Sequence, residues 1–151
     1  MPLFEASRNY SRSVQEVFDF FRQPANLVRV SPPELHMRLA EGPQRLQLGS
    51  RITLLGRRWG IPQRVVSEVT AYELDVLFVD EQREGPFRKW VHTHRFEKVH
   101  GGTRVVDRIE FEPPGGMLGM MVTAASIERD LQWVFEFRTK KLKEILGDGI
   151  G

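Results

Sequence analysis

The sequence predicts an α+β protein in which a curved antiparallel sheet of six or seven strands wraps one long C-terminal helix. Two short helices are expected after the first strand. Three observations carry this. Residues 34 to 112 alternate apolar and polar side chains, the period of a half-buried strand. Ile127, Leu131, Val134, Phe135, Arg138, Leu142 and Ile145 recur at spacings of three and four, the period of a helix with one buried face. Between the two regions stands Pro113-Pro114-Gly115-Gly116, which no sheet ladder can run through.

Each element has its local cause. Leu3 to Tyr10 mixes apolar and polar residues as an opening strand does. Ser11 or Ser13 can cap a short helix whose sticky face is Val14, Val17, Phe18 and Phe21. Gln23-Pro24 ends it, and Ala25 to Val30 reads as one more turn before Ser31-Pro32-Pro33 breaks the chain. The strands follow. Leu35, Met37 and Leu39 alternate with polar neighbours. Ile52 to Leu55 forms the next strand, ending at Gly56 or running on through Trp59, and Gln63 to Tyr72 the one after. Leu77 to Gln82, Lys89 to Val99 and Thr103 to Glu112 complete the set, with Gly85-Pro86 and Gly101-Gly102 as turns. Met117 to Leu146 reads as one continuous helix, stopped by Gly147. With no linker or repeat in it, the chain from 1 to 151 is expected to be a single unit.

Composition narrows the chemistry. The 151 residues are 40% hydrophobic and 28% charged, which suits a soluble globular chain. There is no cysteine, so disulfides, thiolate metal sites and a cysteine nucleophile are excluded. The formal net charge is only +2, with the two signs interleaved, and nucleic acid is not expected as a partner. Arg138, Lys140, Lys141 and Lys143 read as a solvated final stretch of helix where cations suit the dipole. Met1 to Tyr10 lacks the apolar centre of a signal peptide. Gly115 to Ala125 is far short of the roughly 20 residues that cross a membrane. The cytoplasm is the expected location. No Gly-rich phosphate loop, Gly-x-Ser-x-Gly elbow or His-Glu-x-x-His helix occurs.

The polar residues of interest lie on two strands. Side chains alternate between faces, so Trp90, His92, His94 and Phe96 share one side, and Thr103, Val105, Asp107, Ile109 and Phe111 share one side of the next strand. The opposite faces carry the charged residues and take the water. Both histidines and Asp107 therefore point toward the long helix. A Gly101-Gly102 turn makes His94 and Asp107 diagonal neighbours, about 7–8 Å apart. A His100-Gly101 turn sets them directly opposite.

Several roles are open to this constellation. His94 and Asp107 can satisfy each other inside the core, or form the polar end of a ligand cavity. They can also do acid–base work, with Asp107 orienting His94 as a general base. A His-x-His pair plus Asp107 could ligate a metal, but this spacing is a common accident in strands, and no metal is expected. Trp90, Phe96, Phe111 and Phe135 fit a packed core or an aromatic cage. Arg138, on the apolar stripe, either snorkels to the rim or reaches inward to an acid. Asp80 can share the inner face with Phe78 and Gln82, at ambiguous parity. Pro113 to Gly116, with Met117, Leu118, Met120 and Met121, are candidates for a gate at a cavity mouth.

Phe78-Val79-Asp80-Glu81-Gln82, Gly85-Pro86-Phe87 and the strand Trp90 to Phe96 carry a resemblance. Gly102-Thr103-Arg104-Val105 with Asp107, and Pro113 to Gly116, add to it. On these residues the chain resembles the START-related helix-grip superfamily (SRPBCC), of polyketide cyclase/dehydratase-like proteins, pollen allergens and lipid carriers. It is most similar to the bacterial ligand-binding branch. The resemblance implies a cavity between sheet and helix. Phe78, Trp90, His92, His94, Phe96, Asp107, Ile109, Phe111, Leu131, Phe135 and Arg138 are the expected lining. The expected function is binding a small hydrophobic or amphipathic molecule, a lipid or aromatic polyketide, with no cofactor. A cyclase or dehydratase using His94 and Asp107, or an interaction module with a filled cavity, is the alternative.

Overall fold

The computed structural model describes residues 1–148. Strand β1 (Leu3–Tyr10) leads into helices α1 (Val14–Phe21) and α2 (Pro24–Arg29) and a 3-10 turn at Pro33–Leu35. Six strands follow: β2 (Arg38–Glu41), β3 (Arg51–Arg58), β4 (Ile61–Glu73), β5 (Leu77–Glu84), β6 (Lys89–Val99) and β7 (Gly102–Glu112). Helices α3 (Gly116–Met121) and α4 (Ala124–Leu146) end the described chain. All seven strands join one antiparallel sheet in the order β1-β7-β6-β5-β4-β3-β2. This is the helix-grip arrangement that the alternation pattern and the helical stripe predict. Register shifts between Val66/Ser67 and between Val69/Ala71 mark bulges in β4, which bend a strand and let the sheet curl around α4.

Two elements differ from expectation. The helix expected from Met117 to Leu146 is broken. Val122 is buried and extended, and Thr123 starts a new helix by accepting from the Ser126 amide, while the Ser126 hydroxyl accepts from the Thr123 amide. That reciprocal cap satisfies two orphan amides, so a fresh start costs little. The strand expected through Leu35, Met37 and Leu39 begins only at Arg38. Pro32-Pro33 sets a tight turn, and His36 follows it with φ 47°, in the left-handed region.

The β6–β7 turn is His100-Gly101, with Gly101 at φ 81° and Val99 opposite Gly102. A Cβ on Gly102 would run into the Tyr10 carbonyl of β1, which lets the first strand close against the hairpin. Ser13 caps α1, and Val17 and Phe18 are its buried residues. Phe18 stands edge-on to Phe96 at 5.0 Å and to Phe78 at 5.9 Å, joining α1 to the sheet. A second cluster gathers Phe4, Ile109, Phe111, Ile127, Leu131, Val134 and Phe135 beneath the first half of α4. Among the described residues no helix is long and apolar enough to cross a membrane.

Candidate functional site

Between these clusters the sheet and α4 stand apart and leave a cavity of about 230 Å³. A cavity of about 150 Å³ holds a benzene, so this one is on the scale of a bicyclic molecule. From the expected lining it takes Phe78, Trp90, His92, His94, Ile109, Leu131, Phe135 and Arg138. Phe96 and Phe111 do not reach it; each is sealed in the packed core, Phe96 against Phe18 and Phe111 beside Trp90. Asp107 stands behind the wall and meets the cavity only through the histidines. Outside the expected lining stands the far wall, Leu27 of α2, Val30 just past its end, and Ile52 and Leu54 of β3. Contact of a helix with the opposite side of a bent sheet leaves no period in the sequence.

The inner faces of β5, β6 and β7 build a polar layer at one end. His94 lies opposite Asp107 in register, and His92 opposite Ile109. Yet the hydrogen bonds run differently from the expected His94–Asp107 pair. His92 Nε2 bonds Asp107 Oδ1 at 2.7 Å, and His94 Nε2 bonds Asp80 Oδ2 at 2.7 Å. His94 Nδ1 lies 3.5 Å from Asp107 Oδ1 and has no hydrogen-bond partner among the described residues. The imidazoles stack at 3.7 Å and 20°, and Phe78 stacks on His94 at 4.2 Å. Asp80, whose side the sequence left undecided, faces inward, with 21% of its side chain accessible.

Arg138 completes the layer from α4. It is buried and lines the cavity, its guanidinium 4.6 Å from the Phe135 ring. It reaches inward instead of joining the exposed cluster of Lys140, Lys141 and Lys143, since its place on the stripe points it at the sheet. Among the described residues its Nε has no partner, and Asp107, Tyr10 and Asp80 act on it only through space.

The charges follow from these contacts. Burial would raise the Asp107 carboxyl, but the His92 hydrogen bond and the positive groups nearby hold it below the usual range. Asp80 is held low in the same way, against burial, by His94. Burial, then His94, lowers His92, so that ring is neutral near pH 7. An ionised carboxylate only accepts, so His92 and His94 each donate through Nε2. Burial also lowers Arg138. Tyr10, beside Asp107 and Arg138, is pushed up to about 12 by burial and then by Asp107.

Asp80, His92 and His94 offer ligand atoms within 4.8 Å of one another. In this structure the Nε2 atoms of both rings are engaged by carboxylates, His92 by Asp107 and His94 by Asp80. The layer is a hydrogen-bonded one.

The expected gate is displaced. Pro113, Pro114, Gly115, Gly116 and Met120 line a separate hollow with Arg88 and Glu112, while Met117, Met120 and Met121 are 79–84% exposed. The cavity meets solvent elsewhere, where exposed Arg57 and half-buried Leu27, Met37, Gln63 and Pro86 form its wall. The β3–β4 hairpin tip lies on that side. Trp59 takes φ 52° and Gly60 φ 71°, and the Trp59 indole donates to Asp130 of α4 at 3.3 Å. Its ring stands edge-on to Phe87 at 5.8 Å, and Arg58 sits over it at 5.4 Å.

Fold and cavity together define a helix-grip protein with a polar layer at the closed end of an apolar chamber. The chain belongs to the family described as polyketide cyclase / dehydrase and lipid transport, whose pattern matches residues 1–147. Solved structures share its fold. Protein TTHA0849 from Thermus thermophilus is 19% identical over 95% of both chains, with a TM-score of 0.75. Major latex-like protein 151 from Panax ginseng is 14% identical, covering 95% of this chain and 96% of its own, with a TM-score of 0.69. The di-domain ARO/CYC StfQ from the steffimycin biosynthetic pathway is 13% identical over 96% of this chain and 50% of its own, with a TM-score of 0.73. No curated protein matches the sequence.

Proposed function

We propose that this protein binds, without transforming, a compact apolar molecule that carries one polar end. The observation behind this reading is the cavity itself, apolar on most of its wall and polar where Asp80, His92, His94 and Arg138 meet. Such a division holds a guest by burial and orients it by a few hydrogen bonds. The family's description, which includes lipid transport, supports binding as a class.

Native mass spectrometry of the purified protein, with thermal melts in naphthalene and in decanol, tests the reading. A co-purified guest, or a raised melting temperature with either probe, is expected. An empty protein that neither compound stabilises overturns it.

A second reading, acid–base catalysis of cyclase or dehydratase type, is favoured by one feature: Asp107 orients His92, which is neutral and borders the cavity. The pair it would use is His92 with Asp107, in place of the His94 and Asp107 that the spacing suggests.

A further inference from the structure

Two hydrogen-bonding groups at the closed end have no partner among the described residues, and they are complementary. The first is a lone pair. Asp107 only accepts, so the hydrogen of the neutral His92 ring sits on Nε2, at the 2.7 Å contact. Nδ1 is then an acceptor. Among the described residues it has no hydrogen-bond partner, and it belongs to a ring that lines the cavity. The second is a donor, the Arg138 guanidinium, on the same cavity. Among the described residues it makes no hydrogen bond, its buried Nε included, and the residue is only 9% exposed. A buried donor left unpaired is costly, and so is a desolvated acceptor.

We infer that this end of the cavity is a site for a neutral hydroxyl group: a ligand O–H donates to His92 Nδ1 while its oxygen accepts from the Arg138 guanidinium. Both groups stand near Phe135, the His92 ring 6.1 Å and the Arg138 guanidinium 4.6 Å from its ring, and a hydroxyl, which donates and accepts through one small atom, answers both. A carbonyl leaves His92 unmet, and a hydrocarbon leaves both. A carboxylate is opposed by charge, because Asp80 and Asp107 already place two anions against the one guanidinium. The rest of the wall sets the shape. Phe78, Phe87, Trp90 and Phe135 present rings, and a flat guest stacks on rings better than a flexible chain does. The class is therefore a compact flat alcohol or phenol. This rests on the binding reading above and sharpens it.

Three probes of one bicyclic skeleton separate the possibilities by calorimetry on the intact protein: 2-naphthol, 2-fluoronaphthalene, which is of similar size without an O–H, and 2-naphthoate. 2-Naphthol is expected to bind about tenfold tighter than 2-fluoronaphthalene, the scale of one well-made hydrogen bond, with 2-naphthoate weakest. His92→Gln keeps a donor for Asp107 at the far end of the side chain but removes the ring lone pair. It should bring 2-naphthol and 2-fluoronaphthalene to within about twofold of each other. Equal affinity for these two in the native protein, or a preference for 2-naphthoate, overturns the hydroxyl site and leaves the cavity reading standing. Binding of none of the three overturns both. The ligand series decides the matter even where the variant does not fold.

Discussion

Helix α4 presents a single apolar stripe, but its ends and its middle do different things. At the ends, Ile127, Leu142 and Leu146 are sealed into packed clusters, and none of them touches the cavity. In the middle, Leu131, Val134, Phe135 and Arg138 form the cavity wall. The helix is clamped at both extremities and held off the sheet between them. Identical spacing thus serves two purposes, and only the curvature of the sheet decides which.

Substitutions separate the two regions. The largest effect belongs to the polar layer between them. Asp107→Ala removes the partner of buried His92 and leaves Arg138 with one fewer balancing charge. Denaturant unfolding should show a loss of about 3–5 kcal/mol, and a loss below about 1 kcal/mol would mean that the layer is not sealed. Next comes the clamped end. Leu142→Ala opens a new void where packing is complete and should cost about 2–5 kcal/mol. Leu131→Ala only enlarges an existing hollow and should stay near the lower end of that range. Equal losses at the two leucines would erase the distinction between clamp and chamber.

Stability should fall on both sides of neutrality. On the acid side, the unfolded chain takes up a proton on His92 below its ordinary value of 6.5, while the folded ring, with a lowered pKa, does not. The melting temperature therefore drops as pH falls below about 6.5. It drops again below the ordinary carboxyl value of 3.8, as Asp80 and Asp107 protonate. On the alkaline side, unfolded tyrosine ionises near 10, whereas folded Tyr10 keeps its proton to about 12. Stability is lost between those values, and Tyr10→Phe should remove that part of the loss. The smallest effect is expected at Met120→Ser. Met120 is 83% exposed and off the main cavity, so stability should change by less than about 0.5 kcal/mol and the affinity for naphthalene not at all.

Local signals made most of the fold legible. The Lys89–Val99 and Thr103–Glu112 alternation placed His92, His94, Asp107 and Ile109 on the inner face, because parity follows from the pleat alone. The helix break at Val122-Thr123 escaped because an apolar period runs through it; the Thr123 and Ser126 capping pair was the signal that could have shown it. The site was less legible. The partner of each histidine depends on rotamers and on the neighbouring β5, so the true bonds of His92 to Asp107 and His94 to Asp80 could not come from one hairpin. The expected mouth, Pro113 to Gly116 with the methionines that follow, rests on loop-forming residues beside flexible apolar side chains, a local signal. The chain instead brings Arg57 to that rim, from a strand more than fifty residues earlier in sequence.

The indole of Trp59 sits on a backbone conformation that bulky residues avoid, and its tie to Asp130 helps to keep it there. That makes the hairpin tip a built-in optical reporter. With Trp90 and Trp133 replaced by Phe, a single emitter would remain, packed on Phe87 of the chamber wall, and its colour would track how wet its surroundings are. A guest that settles against Phe87 would be written in the emission of one ring.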